Sequence, residues 1–244
     1  MTDPRPLHIL HLYPDEMSIY GDTGNVLALC ARTRDHGFEP VVDRLTTASE
    51  ALPPDVDLII GGGGQDSGQS RIGASLQGFG PALRDLVEDD VPVLLVCGMY
   101  QLFGREYVTG AGTTVPGIGI LDVVTRAGTG RRSNDILVAS PEFGELVGYE
   151  NHSGLTVLGP RARPLGEVRF GSGNGDSGQE GVRYRNVVGT YIHGPLLPKN
   201  PAVADWMIEQ AIRRRYGVDA GRPPVPRYTE DARRAAVRII ESER

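Results

Sequence analysis

The strongest structural signal in this chain of 244 residues is an apolar run, Val91-Pro92-Val93-Leu94-Leu95-Val96. Strands buried on both faces of a parallel sheet have this pattern, whereas half-buried strands alternate apolar and polar positions. Other strand and helix patterns alternate before it, at residues 7–12, 22–36, 41–42, 56–60 and around 83–87. This alternation predicts an α/β fold, in which a parallel sheet is flanked by helices and functional groups lie beyond the carboxyl ends of the strands.

The first of those helices is predicted to begin at Asp22-Thr23, whose side chains are suited to capping, and to run to about His36. After residue 115 the pattern changes to short β-like segments separated by glycine-rich turns, and we interpret these segments as further strands of the same domain. They are Ile118–Ile120, Ile136–Val138 and Val187–Tyr191.

The remaining segments complete a single predicted domain over residues 1–244, with a core at about 7–216. The glycine-rich segment 171–181 is predicted to be a flexible surface loop. A helix is predicted from Pro201 to about Tyr216, and a connector and a final helix at 229–242 follow within residues 217–244.

Composition excludes several classes of protein. The 31 acidic residues outnumber the 25 Lys and Arg, so the net charge of −6 does not suit a general nucleic-acid binder. Lys199 is the one lysine, which excludes a P-loop and leaves a Schiff base only at that position. The two cysteines lack the spaced partners of a zinc site or a disulfide framework, and we expect no metal.

The sequence also predicts where the protein resides. Neither a signal-peptide core nor a run long enough to span a membrane is found in the 244 residues. Two cysteines without a disulfide framework fit a reducing compartment. We therefore expect a soluble, cytoplasmic protein, with peripheral attachment to a membrane through a partner as an open alternative.

Cys97 directly follows the apolar run and precedes a helical pattern that begins at Gly98. A strand-to-helix elbow of this kind exposes a nucleophile, and the helix N-terminus lowers the pKa of a thiol and offers N–H groups to an oxyanion. The alternative is that Cys97 is a small buried hydrophobe. Cys30 lies within a helical pattern and is interpreted as a packing residue.

A thiol nucleophile needs a base, and two of the five histidines are candidates by context. His193 ends an apolar strand as Cys97 does, so the two strand ends can approach each other, although a histidine at a strand end is often structural. His152 lies in Gly148-Tyr149-Glu150-Asn151-His152, where we favour a hydrogen-bonding role.

Four consecutive glycines, Gly61 to Gly64, follow a predicted strand and precede Gln65-Asp66. Glycines allow the backbone to approach a ligand closely and to point its amides inward, as in an oxyanion hole or a phosphate nest. A flexible turn is the alternative interpretation.

Together these segments resemble class I glutamine amidotransferases of the cobyric-acid-synthase type. The resemblance rests on Gly61–Asp66, on Leu95–Gln101 and on Gly189–Gly194, and it covers roughly residues 7–210. Three further segments are similar to the branch of that family that serves lipid II amidation: Ile19–Asn25, Gly148–His152 and Leu196–Pro201. The resemblance implies a flavodoxin-like, mostly parallel sheet flanked by helices.

The resemblance also implies site residues. Cys97 is the expected nucleophile, and His193 is the general base and acid. The amides of Gly62, Gly63 and Gly98 are expected to form the oxyanion hole. An arginine that holds the α-carboxylate of glutamine is expected at Arg131, with Arg132 as its rival, or else the pair is a solvated basic turn.

One position departs from the pattern of ordinary triad amidotransferases, which carry Glu two residues after the catalytic histidine. Pro195 stands there, as in the cobyric-acid-type branch. The carboxylate that orients His193 is therefore expected from elsewhere, either in this chain or in a partner chain.

The resemblance implies a division of labour between two chains. This chain hydrolyses L-glutamine to glutamate and ammonia, and it needs no cofactor of its own. A Mur-ligase-like partner, in a heterodimer, uses ATP and Mg to amidate the α-carboxylate of D-glutamate in lipid II during peptidoglycan biosynthesis, which brings the cytoplasmic complex to the inner face of the membrane. Two alternatives are an amidotransferase for another acceptor, such as a corrinoid carboxylate, and a non-catalytic regulatory subunit.

Overall fold

The computed structural model describes residues 5–19 and 21–242 and contains two β-sheets and six helices within them. The strands are β1 (Pro6–Leu12), β2 (Glu39–Leu45), β3 (Leu58–Gly61), β4 (Val93–Val96), β5 (Glu106–Val108), β6 (Thr114–Pro116), β7 (Val123–Ser140), β8 (Gly144–Leu158), β9 (Gly166–Phe170), β10 (Gln179–Glu180), β11 (Val182–Tyr184), β12 (Val187–Thr190) and β13 (Ile192–His193). The helices are α1 (Thr23–Asp35), α2 (Asp66–Glu88), α3 (Gly98–Phe103), α4 (Leu196–Lys199), α5 (Pro201–Tyr216) and α6 (Arg227–Ser242).

The first sheet has the strand order β11-β12-β4-β3-β1-β2. All its pairings are parallel except that of the edge strand β11 with β12. Strand β4 lies in the middle, paired with β3 on one side and β12 on the other, and every residue of β4 is buried. This confirms the α/β fold class and the interpretation of the apolar run as a doubly covered strand.

The second sheet contains seven strands and is mainly antiparallel. Its centre is a long ribbon of β7 and β8, and only the pairing of β5 with β7 is parallel among the described pairs of this sheet. The segments Ile136–Val138 and Val187–Thr190 are strands as predicted, whereas the strand predicted at Ile118–Ile120 is wrong. That segment is a loop whose Ile118 N–H donates to the Leu102 carbonyl, so it covers α3.

The surface loop predicted at 171–181 is only partly correct, because residues 176–178 are exposed but residues 173–175 are buried. Asn174 is only 2 % exposed, and its side chain binds the backbone of Gly181 on both sides. It also accepts a hydrogen bond from the buried Tyr100 hydroxyl. The glycines here allow close packing. The Asn174 side chain, the Gly181 backbone and the Tyr100 hydroxyl satisfy one another's hydrogen bonds in this buried part of the segment.

The C-terminal part of the chain is attached at two places. Helix α5 has the predicted bounds, and the connector after it is bound by Arg32, which donates to the carbonyls of Pro223 and Pro224. Helix α6 then buries Val237 and Ile240 against the second sheet. In the part of the chain that the structure describes, no helix is both long enough and apolar enough to cross a lipid bilayer.

Arg32 is in turn held by a buried carboxylate. Asp205 is fully buried in α5 and accepts two hydrogen bonds from the Arg32 guanidinium, at 2.8 and 2.9 Å. The imidazole of His36 lies 3.3 Å from the same carboxylate. The cluster therefore links α1, α5 and the connector.

We predict that Asp205→Ala lowers the free energy of unfolding by about 3–5 kcal/mol, because it leaves the Arg32 guanidinium buried without its carboxylate. Urea denaturation measures this change. The matched control is Glu209→Ala in the same helix, which breaks the more exposed ion pair with Arg222 and is expected to cost about 1 kcal/mol or less. Equal losses in the two variants would contradict this assignment.

Candidate active site

Cys97 lies at the elbow between β4 and α3 and is 6 % exposed. Its backbone has a φ of +51° and a ψ of −105°, a conformation that L-residues rarely adopt. The Cys97 N–H donates to the Thr190 carbonyl of β12, and the Cys97 carbonyl accepts from the Gln101 N–H of α3. Strained backbone of this kind is found at functional sites, and here it turns the thiol out of the strand at the start of a helix.

His193 and Asp22 lie beside this elbow, and both are about 1 % exposed. Strand β12 runs parallel to β4, and the chain continues from it into β13, which carries His193. Asp22 immediately precedes α1. The Nδ1 atom of His193 lies 3.6 Å from Oδ1 of Asp22. A carboxylate of this chain therefore lies beside the imidazole, although Pro195 stands where ordinary triad amidotransferases carry Glu.

The surroundings of His193 favour its charged form. Burial lowers the pKa of the imidazole, but hydrogen bonding to Asp22 and Cys97 and the charges of both partners outweigh burial and raise the pKa of His193 to about 10. The raised pKa favours an imidazolium beside the sulfur of Cys97. The structure thus brings together the two residues that the sequence predicts as nucleophile and base.

The glycine run after β3 brings backbone amides to the same place. The Gly63 N–H donates to Oδ2 of Asp22 at 2.7 Å, so Asp22 binds the glycine loop as well as His193. Gly62 approaches Asp22 so closely that a Cβ on Gly62 would lie 2.7 Å from the Asp22 Cβ. Gly63 is one of the three predicted oxyanion donors. Its N–H would have to break the hydrogen bond to Asp22 before it could donate to an oxyanion. Gly64 lines the pocket beside Cys97, and Gly98 is the first residue of α3, where N–H groups have no partner within the helix.

A pocket of about 390 Å³ opens in front of Cys97. Arg131 lines it, and the Arg131 Nε donates to Oδ1 of Asn151 at 2.5 Å. Arg132, its rival, instead lies 3.6 Å from the exposed Asp176. The structure thus brings Arg131 and Cys97 to one pocket, as expected for a residue that binds the substrate.

A buried chain of polar groups forms one wall of the pocket. The Gln69 amide donates to Gln101 at 2.9 Å, and the Gln101 amide donates to the Tyr191 hydroxyl at 3.2 Å. Tyr191 in turn lies 2.7 Å from the Thr156 hydroxyl. The chain fixes the orientation of two pocket-lining amides, Gln69 and Gln101.

His152 supports this wall. Its ring stacks on Tyr191 with 3.8 Å between the ring centroids, and its Nδ1 lies 3.1 Å from the Gly154 carbonyl. Nε2 lies 3.5 Å from Glu150, which also accepts the N–H groups of Ser172 and Gly173. Burial outweighs these partners and lowers the pKa of His152, which favours a neutral ring. These contacts agree with the hydrogen-bonding role predicted for His152.

Comparison with known proteins identifies the family of this chain. The family model for the CobB/CobQ-like glutamine amidotransferase domain matches residues 8–201, which include the elbow, His193 and the glycine loop. The chain belongs to this glutamine amidotransferase family. A relative from Staphylococcus aureus, the lipid II isoglutaminyl synthase (glutamine-hydrolyzing) subunit GatD, is 38 % identical over 86 % of each chain. The GatD subunit from Streptococcus pneumoniae is 36 % identical over 90 % of this chain and 86 % of its own.

Other relatives of this amidotransferase are longer proteins. The cobyric acid synthase of Pelotomaculum thermopropionicum is 34 % identical over 68 % of this chain, but the match spans only 34 % of that synthase. Among solved structures, a glutamine amidotransferase aligns with a TM-score of 0.57 and 19 % identity over 83 % of this chain and 98 % of its own. The PurLQS structure from Thermotoga maritima aligns with a TM-score of 0.58 and 16 % identity over 85 % of this chain and 97 % of that one. Both confirm the amidotransferase fold.

The roles of two residues at this site, Asp22 and Gln69, were not predicted from the sequence. Asp22 was interpreted as a helix cap, yet its side chain makes no capping hydrogen bond and turns toward His193 and Gly63. Gln69 lies within a helical pattern that gives no sign of a nearby nucleophile. Tyr20, part of a family-like segment, lies outside the described residues. Among the described residues, no cluster of three or more His, Cys, Asp or Glu side chains is suited to a metal ion.

We predict that Arg131→Ala raises the KM for glutamine by about 10- to 100-fold and changes kcat little, because the lost interaction is made in both ground state and transition state. Steady-state glutaminase kinetics separate the two parameters. Arg132→Ala is the matched control, since it removes the same charge beside the pocket and is expected to leave the KM within about threefold. An effect confined to Arg132 would transfer the role to that residue.

Proposed function

We propose that this chain is the glutaminase subunit of a two-chain enzyme that amidates lipid II. The observation that carries the proposal is the cluster of Cys97, His193 and Asp22, of which Cys97 lines the pocket, in a chain that matches two GatD subunits over most of both lengths. The names of those relatives describe a glutamine-hydrolysing subunit of lipid II isoglutaminyl synthase. The pocket supplies the chemistry that such a subunit needs.

In the first step the Cys97 thiolate attacks the side-chain carbonyl carbon of glutamine. The tetrahedral oxyanion accepts hydrogen bonds from the amides of Gly98 and of the glycine loop, where Gly64 lines the pocket. The His193 imidazolium donates its proton to the amide nitrogen as the C–N bond breaks, and ammonia departs. A glutamyl thioester on Cys97 and a neutral His193 remain.

In the second step water hydrolyses the thioester. Neutral His193 takes a proton from the water as its oxygen attacks the thioester carbon, and the same amides stabilise the second oxyanion. Collapse of this intermediate breaks the C–S bond, releases glutamate and restores the thiolate beside an imidazolium. Asp22 is a positioning residue throughout, because it holds the imidazole by Nδ1 and stabilises its charged form.

The ammonia is proposed to pass to a Mur-ligase-like partner that binds ATP and Mg and activates the α-carboxylate of D-glutamate in the stem peptide of lipid II. The product is D-isoglutamine. The lack of a P-loop and the single lysine support this division between chains, since they argue against the commonest nucleotide site in this one. We place the heterodimer at the cytoplasmic face of the membrane, where the partner reaches its lipid-linked substrate.

A corrinoid carboxylate is a second candidate acceptor, because cobyric acid synthases are also relatives. The match spans about a third of their length, whereas it spans 86 % of the GatD subunits, which favours lipid II. A non-catalytic regulatory role is disfavoured by the pairing of Cys97 with His193.

The test is amidation of lipid II by the full chain co-purified with its ligase partner, with mass spectrometry of the stem peptide as the readout. We predict that Cys97→Ala abolishes glutamine-dependent amidation but leaves amidation from added ammonium chloride, since the ammonia-consuming step lies on the partner. The matched control, Cys30→Ala, is expected to retain both, because Cys30 packs within α1. Glutamine-dependent amidation by Cys97→Ala would refute the mechanism, and amidation of corrinoid but not of lipid II would refute the acceptor.

A further inference from the structure

The active-site pocket contains a carboxylate that the proposed reaction does not use. Asp66 is the first residue of α2, directly after the glycine run and Gln65, and it lines the pocket together with Cys97 and Arg131. An acidic residue in the first turn of a helix is common because it complements the helix dipole. Asp66, however, also has a partner from outside its helix.

That partner is Tyr107 of β5, which also lines the pocket. The Tyr107 hydroxyl donates a hydrogen bond to Oδ1 of Asp66 at 3.0 Å. Burial of Tyr107, which is 3 % exposed, together with the negative charge of Asp66 raises the pKa of the phenol, so the hydroxyl keeps its proton and stays a donor. The hydrogen bond fixes the carboxylate at the pocket wall, and Oδ2 provides a further acceptor for a ligand.

The charges of the pocket complement one class of ligand. Among the described lining residues, Asp66 carries the one carboxylate and Arg131 the one guanidinium, while the lowered pKa of His152 favours a neutral ring. A free α-amino acid presents an α-ammonium and an α-carboxylate on one carbon atom. The carboxylate of Asp66 and the guanidinium of Arg131 therefore complement the two charges of such a zwitterion. The uncharged amides beside Cys97 suit an uncharged side-chain amide.

We propose that Asp66 determines specificity by binding the α-ammonium group of glutamine, oriented by Tyr107, while Arg131 binds the α-carboxylate. The inference rests on the proposed glutaminase function and names what the same pocket requires of its substrate. Free glutamine satisfies both charged groups. Glutamine within a peptide has neither, and glutaramic acid, which is glutamine without its α-amino group, leaves the Asp66 carboxylate unpaired. Asp66 and Arg131 are both exposed, so the discrimination lies in the charge-assisted hydrogen bond that each of these two ligands fails to make, and both bind more weakly than glutamine.

The test measures binding and not turnover, by isothermal titration calorimetry on the full chain carrying Cys97→Ala. L-Glutamine and glutaramic acid are the two probes. With Asp66 present we expect glutamine to bind about 10- to 100-fold more tightly than glutaramic acid, as for one charge-assisted hydrogen bond. Adding the near-isosteric Asp66→Asn should weaken glutamine binding by a similar factor and leave glutaramic acid unchanged or tighter, which removes the preference.

The matched control is Asp176→Asn, which removes a carboxylate that pairs with Arg132 and does not line the pocket. It is expected to preserve the preference for glutamine. A preference that survives Asp66→Asn would overturn the inference, as would an equal loss for both probes, which indicates a distorted loop. Thermal denaturation verifies that each variant is folded. If glutamine fails to bind while Asp66 is intact, the proposed glutaminase function itself fails, so the two failures are distinguishable.

Discussion

The buried carboxylate of Asp22 joins the two halves of the active site. One oxygen lies 3.6 Å from the His193 imidazole, and the other accepts the Gly63 N–H at 2.7 Å. The same group therefore sets the charge of the base and the position of the glycine loop that follows β3. A substitution of Asp22 therefore affects both His193 and the glycine loop, because each loses its buried carboxylate partner. The neighbouring Gly62 packs against both the Met17 carbonyl and Asp22, so a Cβ at that position would collide with each.

The parallel sheet makes this meeting possible. Strands β1, β3, β4 and β12 all run in the same direction, so the segments that follow them lie at one edge. Asp22 comes after β1, the glycine loop after β3, Cys97 after β4 and His193 after β12. The second sheet then adds Arg131 and Asn151 from the ribbon of β7 and β8, which closes the pocket over the edge. The common strand direction thus assembles the four segments that follow the first sheet, although they are far apart in the sequence.

The parts of the site that local patterns determine could be predicted from the sequence. Cys97 and His193 each end an apolar strand, and a strand end has a clear local signature. Asp22 could not be assigned, because an Asp before a helix has the same local pattern whether it caps the helix or reaches a histidine 171 positions later. The packing of Asn174 depends on partners such as Tyr100, which are distant in the sequence. The separation of the later strands into a second sheet likewise depends on which strands pair. Local sequence patterns carry no information about such long-range pairing.

Asp22 is proposed to hold His193 as an imidazolium beside the sulfur of Cys97. The direct measurement is the ionisation of His193 by NMR of histidine-labelled protein across pH, with the resonance assigned by its loss in His193→Gln. We expect the imidazolium to persist to about pH 10 and Asp22→Asn to lower this pKa, because the substitution removes the carboxylate that stabilises the charged ring. Ionisation of His193 near the ordinary value for histidine in the unmodified chain, or at the same pH in both proteins, would contradict it.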